Sequence, residues 1–183
     1  WRSSTPWRGG FSDIVRQVLI LGADGFIGRH LAFGLRAMGW SVTAHARNPA
    51  RLSVMGFHTL RADLTDPITH TPAFWSPHLA EGVALINAAG LLTGTENAFQ
   101  AVHHNAPRAA LQALRGPAVL ISAVGVEADT PFSRWRRQTE DLFRDHCILR
   151  PGLVLGETSY GGSSLLRALA AMPDHLEREH QWT

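Results

Sequence analysis

The stretch QVLILGADGFIG, residues 17–28, decides the fold of this 183-residue chain. Residues 17–22 are an apolar run stopped by a glycine, which is typical of a strand covered on both faces. Gly22, Gly25 and Gly28 then repeat at a G-x-x-G-x-x-G spacing. Glycine is needed where a Cβ would obstruct a tight turn, the approach of backbone N–H groups to a pyrophosphate, or close packing of the next helix. An ordinary strand-to-helix turn is the alternative, but a motif that follows a strand and opens a helix favours a dinucleotide-binding turn. The residues of this turn expected to contact the dinucleotide are Gly22, Asp24, Gly25, Phe26, Ile27 and Gly28.

The rest of the chain alternates short β-rich runs with helical patterns. The helix after the turn is predicted over residues 27–39, with an apolar stripe that includes Met38 and a C-cap at Gly39. Further strands are predicted at 40–47, 57–64, 83–90, 117–125 and 147–156, and further helices at 96–114, broken at Pro107, and at 134–145. Residues 65–78 are predicted to form a loop or a short irregular helix. This order predicts an α/β fold with a Rossmann-type, doubly wound parallel sheet.

Composition and charge exclude several classes of protein. All 17 cationic residues are arginine, the formal net charge is +2, and no basic run indicates a nucleic-acid partner. No stretch is long and apolar enough to predict a transmembrane segment. The single cysteine, Cys147, excludes an internal disulfide, favours a reducing, cytoplasmic location, and is interpreted as a small core residue of a buried strand. His103 and His104 are adjacent, a spacing that does not suit a metal pair, so no metal site is predicted and both are interpreted as surface or cap residues.

The chain is predicted to hold one globular domain. We assign residues 1–15 to a flexible N-terminal arm, 16–173 to the Rossmann domain, and 174–183 to a polar tail or a truncation stub. Little sequence follows Gly156, so a C-terminal substrate subdomain is expected to be largely absent.

The end of the second strand is expected to contact the adenosine ribose of the coenzyme. About 20 residues beyond the glycines, NAD sites favour a carboxylate that accepts hydrogen bonds from the adenosine ribose. This chain has HARN there, residues 45–48, and Arg47 has the charge and planar fork to bind a 2′-phosphate. We therefore expect NADP(H) rather than NAD(H), with a solvated strand-end arginine as the alternative.

Several motifs together resemble the short-chain dehydrogenase/reductase superfamily, on its extended or atypical side, with the epimerase/dehydratase-like and NmrA-like NAD(P)-binding proteins. They are GADGFIG, ADLTD after the third strand, NAAG closing the fourth, ISAVG ending the fifth and LRPGLVLGE at the sixth. The resemblance implies that Asp63 and Leu64 lie against the adenine and that Ser122 occupies the catalytic serine position. It also implies that Ala88, Ala89 and Gly90 line the cofactor cleft, and that the segment from Pro151 to Leu153 passes near the nicotinamide.

The same resemblance exposes a missing catalytic pair. Members of the superfamily use a tyrosine and a lysine four residues later, whereas alignment on Glu140 puts Phe132 and Arg136 in these positions. Phe132 has no ionisable proton, and Arg136 is able to bind a ribose or phosphate but not to cycle a proton. The only tyrosine is Tyr160, and Ser122, Ser133 or Tyr160 would have to supply a substitute hydroxyl. A plain surface start of a helix is the alternative interpretation of this segment.

Two functions of different class remain open at this point. One is an NADP(H)-dependent oxidoreductase or epimerase-like enzyme with an altered proton donor and an unknown small-molecule substrate. The other is a catalytically silent dinucleotide-binding module that acts as a redox sensor or a structural accessory subunit, an expectation based on analogy with the superfamily. The sequence leaves a homo-oligomer or a larger complex open.

Overall fold

A computed structural model describes residues 16–154, in which six strands form one parallel sheet. The strands are β1 (Gln17–Leu21), β2 (Ser41–Ala46), β3 (His58–Arg61), β4 (Val83–Asn87), β5 (Ala118–Ile121) and β6 (Cys147–Leu149). Their order across the sheet is β3-β2-β1-β4-β5-β6, so the chain winds outward from β1 in one direction and then in the other. This is the predicted doubly wound Rossmann topology. The proposed arm at 1–15, the tail at 174–183 and Tyr160 lie outside the described residues.

Helices cover both faces of the sheet, because alternate residues of each strand point to opposite sides. They are α1 (Phe26–Ala37), α2 (Ala50–Val54), α3 (Pro72–Trp75), α4 (Glu96–Gln100), α5 (Ala106–Ala113) and α6 (Pro131–Leu142). On one face Val18 and Ile20 of β1 belong to a buried cluster with Ala32 of α1 and Leu52 of α2. On the other face Leu19 and Leu21 of the same strand belong to a cluster with buried side chains of α3 and α5. Burial of β1 on both sides explains its nearly unbroken apolar sequence.

The predicted strands were too long at their carboxyl ends. Strand β1, for example, ends at Leu21 because the chain turns at Gly22, whose φ is +72°. Helix α1 ends as expected before Gly39, which has a φ of +83° and donates its N–H to the carbonyl of Arg36. Met38 does not belong to the buried stripe, since it is 69% exposed.

Pro107 does not break the long helix that was predicted over 96–114. Residues 96–113 stay helical. The backbone hydrogen bonds change from the α-helical to the π-helical pattern at Ala101–Asn105, just before the proline. Pro107 lacks an N–H and so removes the usual partner of the His103 carbonyl. The hydroxyl of Thr139 in α6 donates to that carbonyl at 2.6 Å, which ties α6 to the π-helical segment.

The segment at 65–78 is the short irregular helix that was predicted as one of two alternatives. Two 3-10 turns, Pro67–His70 and Ser76–His78, flank α3. Trp75 is fully buried there and donates its indole N–H to the carbonyl of Thr69 at 2.7 Å.

Two interpretations of single residues were wrong. Cys147 is exposed, because β6 lies at the edge of the sheet and its burial pattern is not that of a covered strand. His103 is 1% exposed and is therefore a core residue, not a surface or cap residue. Within the described part of the chain, no helix combines the length and apolarity needed to cross a bilayer.

Candidate functional site

The glycine turn between β1 and α1 is the centre of the site. A Cβ on Gly28 would lie 2.2 Å from the carbonyl oxygen of Gly22, and a Cβ on Gly22 would lie 2.8 Å from Cα of Ala89. The turn therefore requires the bare backbone at both positions, and Gly25 donates its N–H to the Gly22 carbonyl at 3.1 Å. Helix α1 begins after Gly25 with neither a side-chain cap nor an acidic residue in its first turn. Its positive end thus faces the crevice, as an anion-binding helix start requires.

The crevice runs along the carboxyl ends of the strands. It extends to both sides of the topological switch point between β1 and β4, where the strand order reverses. On one side is a cavity of about 450 Å³, named here the Arg47 cavity. Of the residues predicted to bind the dinucleotide, it brings together Gly22, Asp24, Gly25, Arg47, Asp63, Leu64, Ala88, Ala89 and Gly90. Ligands of open α/β sheets bind at such a switch point.

His45 is a part of this cavity whose role the sequence did not indicate. It is 2% exposed at the end of β2, and its Nδ1 accepts the N–H of Gly22 at 3.4 Å. Burial lowers the pKa of His45 to about 4, and nearby Asp24 only partly opposes this. A neutral imidazole therefore accepts a hydrogen bond from the first residue of the glycine turn. In the sequence, the position of His45 two residues before Arg47 was the signal that could have indicated this role.

Charges line the outer part of the Arg47 cavity. Asp63 accepts the N–H and the hydroxyl of Thr65 at 2.9 and 2.8 Å, and these bonds, helped by the charge of Arg47, lower the pKa of its carboxyl. Arg47 is exposed and forms no hydrogen bond or ion pair with the other residues between 16 and 154. Its guanidinium is therefore available to a ligand.

On the other side of the switch is a second cavity of about 420 Å³, named here the Ser122 cavity. The predicted residues that line it are Gly25, Phe26, Ile27, Gly28, Ala88, Gly90, Ser122, Arg136 and Leu153. Pro151 lies in an adjoining apolar groove that shares Ile27 and Val154 with this cavity. Every residue predicted to bind the cofactor thus lies along one continuous crevice, whereas Ser133, a candidate substitute hydroxyl, does not line it and donates to the Gly125 carbonyl at 3.3 Å.

Arg136 is buried, contrary to the interpretation of residues 132–136 as a plain surface helix start. Helix α6 begins three residues earlier than predicted, at Pro131, because the Thr130 hydroxyl accepts the Ser133 N–H at 3.1 Å. Arg136 is 5% exposed, lies 5.4 Å from the ring centre of Phe132, and directs its terminal nitrogens to the Ala89 carbonyl at 3.5 Å.

The charge of this guanidinium is incompletely compensated by its surroundings. Its Nε is a buried donor that has no hydrogen-bond partner in the described chain. Burial lowers the pKa of Arg136 to about 10, and Glu140 partly opposes this, so the group stays cationic at neutral pH. A Cβ on Gly90 would lie 2.3 Å from an Arg136 nitrogen, so Gly90 makes room for the arginine. A buried cation at the edge of the crevice is suited to an oxygen-rich ligand.

Ser122 is held by a carboxylate. Its hydroxyl donates to Oε1 of Glu140 at 2.6 Å, and Arg150 donates to both oxygens of Glu140, at 2.8 and 2.6 Å. The Arg150 hydrogen bonds, with that of Ser122 and the charge of Arg136, lower the pKa of Glu140. The sequence pattern around Glu140 did not indicate this network.

His103 lies behind the site. Its Nε2 is 3.0 Å from the N and 3.2 Å from the O of Leu91, and its ring stacks on Phe99. Burial, helped by the charge of Arg136, lowers the pKa of His103 to about 4. The ring is therefore neutral and packs edge-on to Phe132, 6.0 Å between ring centres. Between residues 16 and 154 no three or more His, Cys, Asp or Glu side chains are grouped so as to hold a metal ion.

No family model and no curated protein matches the sequence. Similar solved structures are a short-chain dehydrogenase/reductase superfamily protein from Agrobacterium tumefaciens with bound NAD (19% identity, 73% of this chain and 48% of that chain, TM-score 0.61) and a putative NAD-dependent epimerase/dehydratase from Bacillus halodurans (22%, 80% and 74%, 0.63). A third is a short-chain dehydrogenase from Sphingobium yanoikuyae in complex with NADPH (21%, 70% and 63%, 0.63). The chain spans about half the length of the first structure and three quarters of the second.

These likenesses confirm, at the level of the fold, the resemblance drawn from the motifs. The strand order, the glycine turn and the crevice at the switch point agree with them. This chain has the Rossmann fold that is found in short-chain dehydrogenase/reductase proteins.

Proposed function

We propose that this chain binds a nicotinamide dinucleotide in the crevice above β1 and β4, with NADP(H) preferred over NAD(H). The glycine turn carries the proposal, since a Cβ at Gly28 would fill the space against the Gly22 carbonyl and the first turn of α1 contains no acidic residue. The turn would hold the pyrophosphate, and the Arg47 cavity would hold the adenosine. Similar structures with NAD and with NADPH bound support a coenzyme of this class.

The preference for NADP(H) rests on Arg47. It follows β2, lines the cavity, and has no hydrogen-bond partner of its own among the described residues. Asp63, a carboxylate of the same cavity, already accepts two hydrogen bonds from Thr65. A 2′-phosphate would therefore gain a charge-assisted contact, worth about 1.5–3 kcal/mol, that a 2′-hydroxyl does not.

The Ser122 cavity would receive the nicotinamide half, with Arg136 contacting its ribose or phosphate and Pro151 and Leu153 beside the ring. A bound nicotinamide supplies hydride transfer, but carbonyl reduction also needs a proton. Phe132 has none to give, Arg136 keeps its proton, and the Ser122 proton is engaged by Glu140. These three observations favour the silent module, a redox sensor or structural accessory subunit, over an enzyme with an altered proton donor.

A fluorescence titration tests both levels of this proposal. The protein should quench or enhance NADPH fluorescence saturably and bind NADPH at least tenfold more tightly than NADH. Arg47→Ala should remove most of this difference, whereas Arg108→Ala, an exposed arginine of α5, should leave it unchanged. Equal affinities in the parent protein would contradict the coenzyme preference, and absence of binding would contradict the site.

Turnover separates the two functional candidates. The silent module predicts that the NADPH-loaded protein consumes no coenzyme with a panel of ketones and aldehydes. Turnover that is lost in Ser122→Ala would establish the enzyme instead. The cytoplasmic location and the domain limits stay predictions from the sequence.

A further inference from the structure

The hydroxyl of Ser122 has a fixed direction. It lies 2.6 Å from Glu140 Oε1, and the same oxygen also accepts from Nε of Arg150 at 2.8 Å. The second oxygen accepts from Arg150 Nη2 at 2.6 Å. A carboxylate that receives this fork is ionised and has no proton to donate, so the proton between Ser122 and Glu140 belongs to the serine.

The direction of this proton leaves the oxygen lone pairs of Ser122 as the hydrogen-bonding group that faces the cavity. Its only hydroxyl proton points to Glu140, and no donor among residues 16–154 reaches its oxygen. Ser122 is 6% exposed and lines the Ser122 cavity together with the apolar Ile27, Phe132 and Leu153. Its lone pairs are thus the part of the hydroxyl that remains for a ligand. The amide N–H of the same residue is also occupied, since it donates to Leu149 at 2.7 Å.

We propose that Ser122 acts as a hydrogen-bond acceptor toward the Ser122 cavity, so that this cavity takes ligands bearing a hydroxyl donor in preference to carbonyl or ether acceptors. Glu140 and Arg150 are the positioning residues that impose this polarity. The inference rests on the proposed function, because it describes the ligand that would lie beside the coenzyme. Arg136, the cation of the same cavity, is assigned here to the ribose or phosphate of the coenzyme. Beside Ser122 a carbonyl oxygen then finds no donor, whereas an alcohol or phenol donates its proton to the serine oxygen.

The direction of the Ser122 proton is tested without any ligand. In protein labelled with carboxyl-¹³C glutamate, NMR follows the Glu140 pKa, assigned by comparison with Glu140→Gln. If Ser122 donates to the carboxylate, Ser122→Ala should raise that pKa by about one pH unit, because a bond that favours the charged form is lost. If a protonated Glu140 instead donates to Ser122, the same variant should lower it. Ser76→Ala, at an exposed serine of another segment, should leave it unchanged.

The ligand preference is tested with phenol and anisole, an aromatic pair that differs in the hydroxyl proton and that NADPH does not reduce. Ligand-observed NMR on the NADPH-loaded protein should show phenol binding about five- to tenfold more tightly than anisole. The preference should disappear in Ser122→Ala and diminish in Glu140→Gln, whose amide is able to turn the serine proton toward the cavity. A thermal melt of each variant confirms that it is folded.

Equal affinities, tighter anisole binding, no phenol binding, or a Glu140 pKa that falls in Ser122→Ala would each overturn the inference. Failure of the proposed function has a different signature. It would be seen as a lack of NADPH binding by the unsubstituted protein, while the Glu140 measurement would still stand on its own.

Discussion

Two glycines of the same helix should respond to alanine with opposite signs. At Gly28 the new Cβ would lie 2.2 Å from the Gly22 carbonyl oxygen and 2.9 Å from Cα of Ala23, and both are backbone atoms. An ordinary contact needs more than 3 Å, so α1 has to move away from the turn by roughly 1 Å. At Gly34, also in α1, nothing lies within 4 Å of the added Cβ.

These distances set the expected changes in the free energy of unfolding. Overpacking costs about 1–3 kcal/mol, and the first-turn position of Gly28 gains little helix propensity in return, so we expect Gly28→Ala to lose about 2 kcal/mol. For a chain of this size that loss lowers the melting temperature by about 4–8 °C. Gly34→Ala should instead gain about 0.5–1 kcal/mol, because glycine in a helix interior is disfavoured relative to alanine.

Urea unfolding followed by circular dichroism measures both changes, and NADPH titration of the same samples measures the site. Gly28→Ala should bind NADPH at least tenfold more weakly, since the start of α1 would no longer meet the turn, while Gly34→Ala should bind it normally. A Gly28→Ala protein as stable as its parent would refute the close approach of α1 to the turn. Normal NADPH affinity in that variant would refute the turn as the phosphate site.

Three further outcomes are expected. Thr139→Val should lose about 1–3 kcal/mol of unfolding free energy, because the buried carbonyl of His103 loses its donor, whereas the exposed Thr71→Val should change it by less than about 0.5 kcal/mol; equal losses in urea melts would contradict this. Burial holds the pKa of His45 and His103 near 4 in the folded protein, so the unfolded chain binds more protons between about pH 6.5 and 4. Stability should fall as the pH falls through this window by about 1–3 kcal/mol per histidine, and His103→Gln should make urea melts at pH 7 and 5 differ less than in the parent. Cys147, the only thiol in the chain, should react with Ellman's reagent in the native protein at the rate of an exposed thiol, and protection until denaturant is added would contradict its exposure.

The alternation of strands and helices could be predicted from the sequence because hydrophobic periodicity is local. The apolar run at 17–22 and the glycine spacing after it fixed the first βα unit, and later strands repeated the pattern. Strand ends were less predictable, since an apolar residue continues the pattern even where the backbone has left the sheet. The start of α6 has a local sequence pattern that indicates a capped helix start, a threonine before a proline with a serine three residues after the threonine.

The sequence by itself determined the doubly wound sheet, the glycine turn, the absence of lysine and the lack of an ionisable proton at Phe132. Only the tertiary structure decided the states of the polar groups around that turn. Burial made His45 and His103 neutral, confined Arg136 beside Gly90, and directed the Ser122 proton to Glu140. These properties depend on desolvation and on partners that are distant along the chain, so residue type and local spacing carry no record of them.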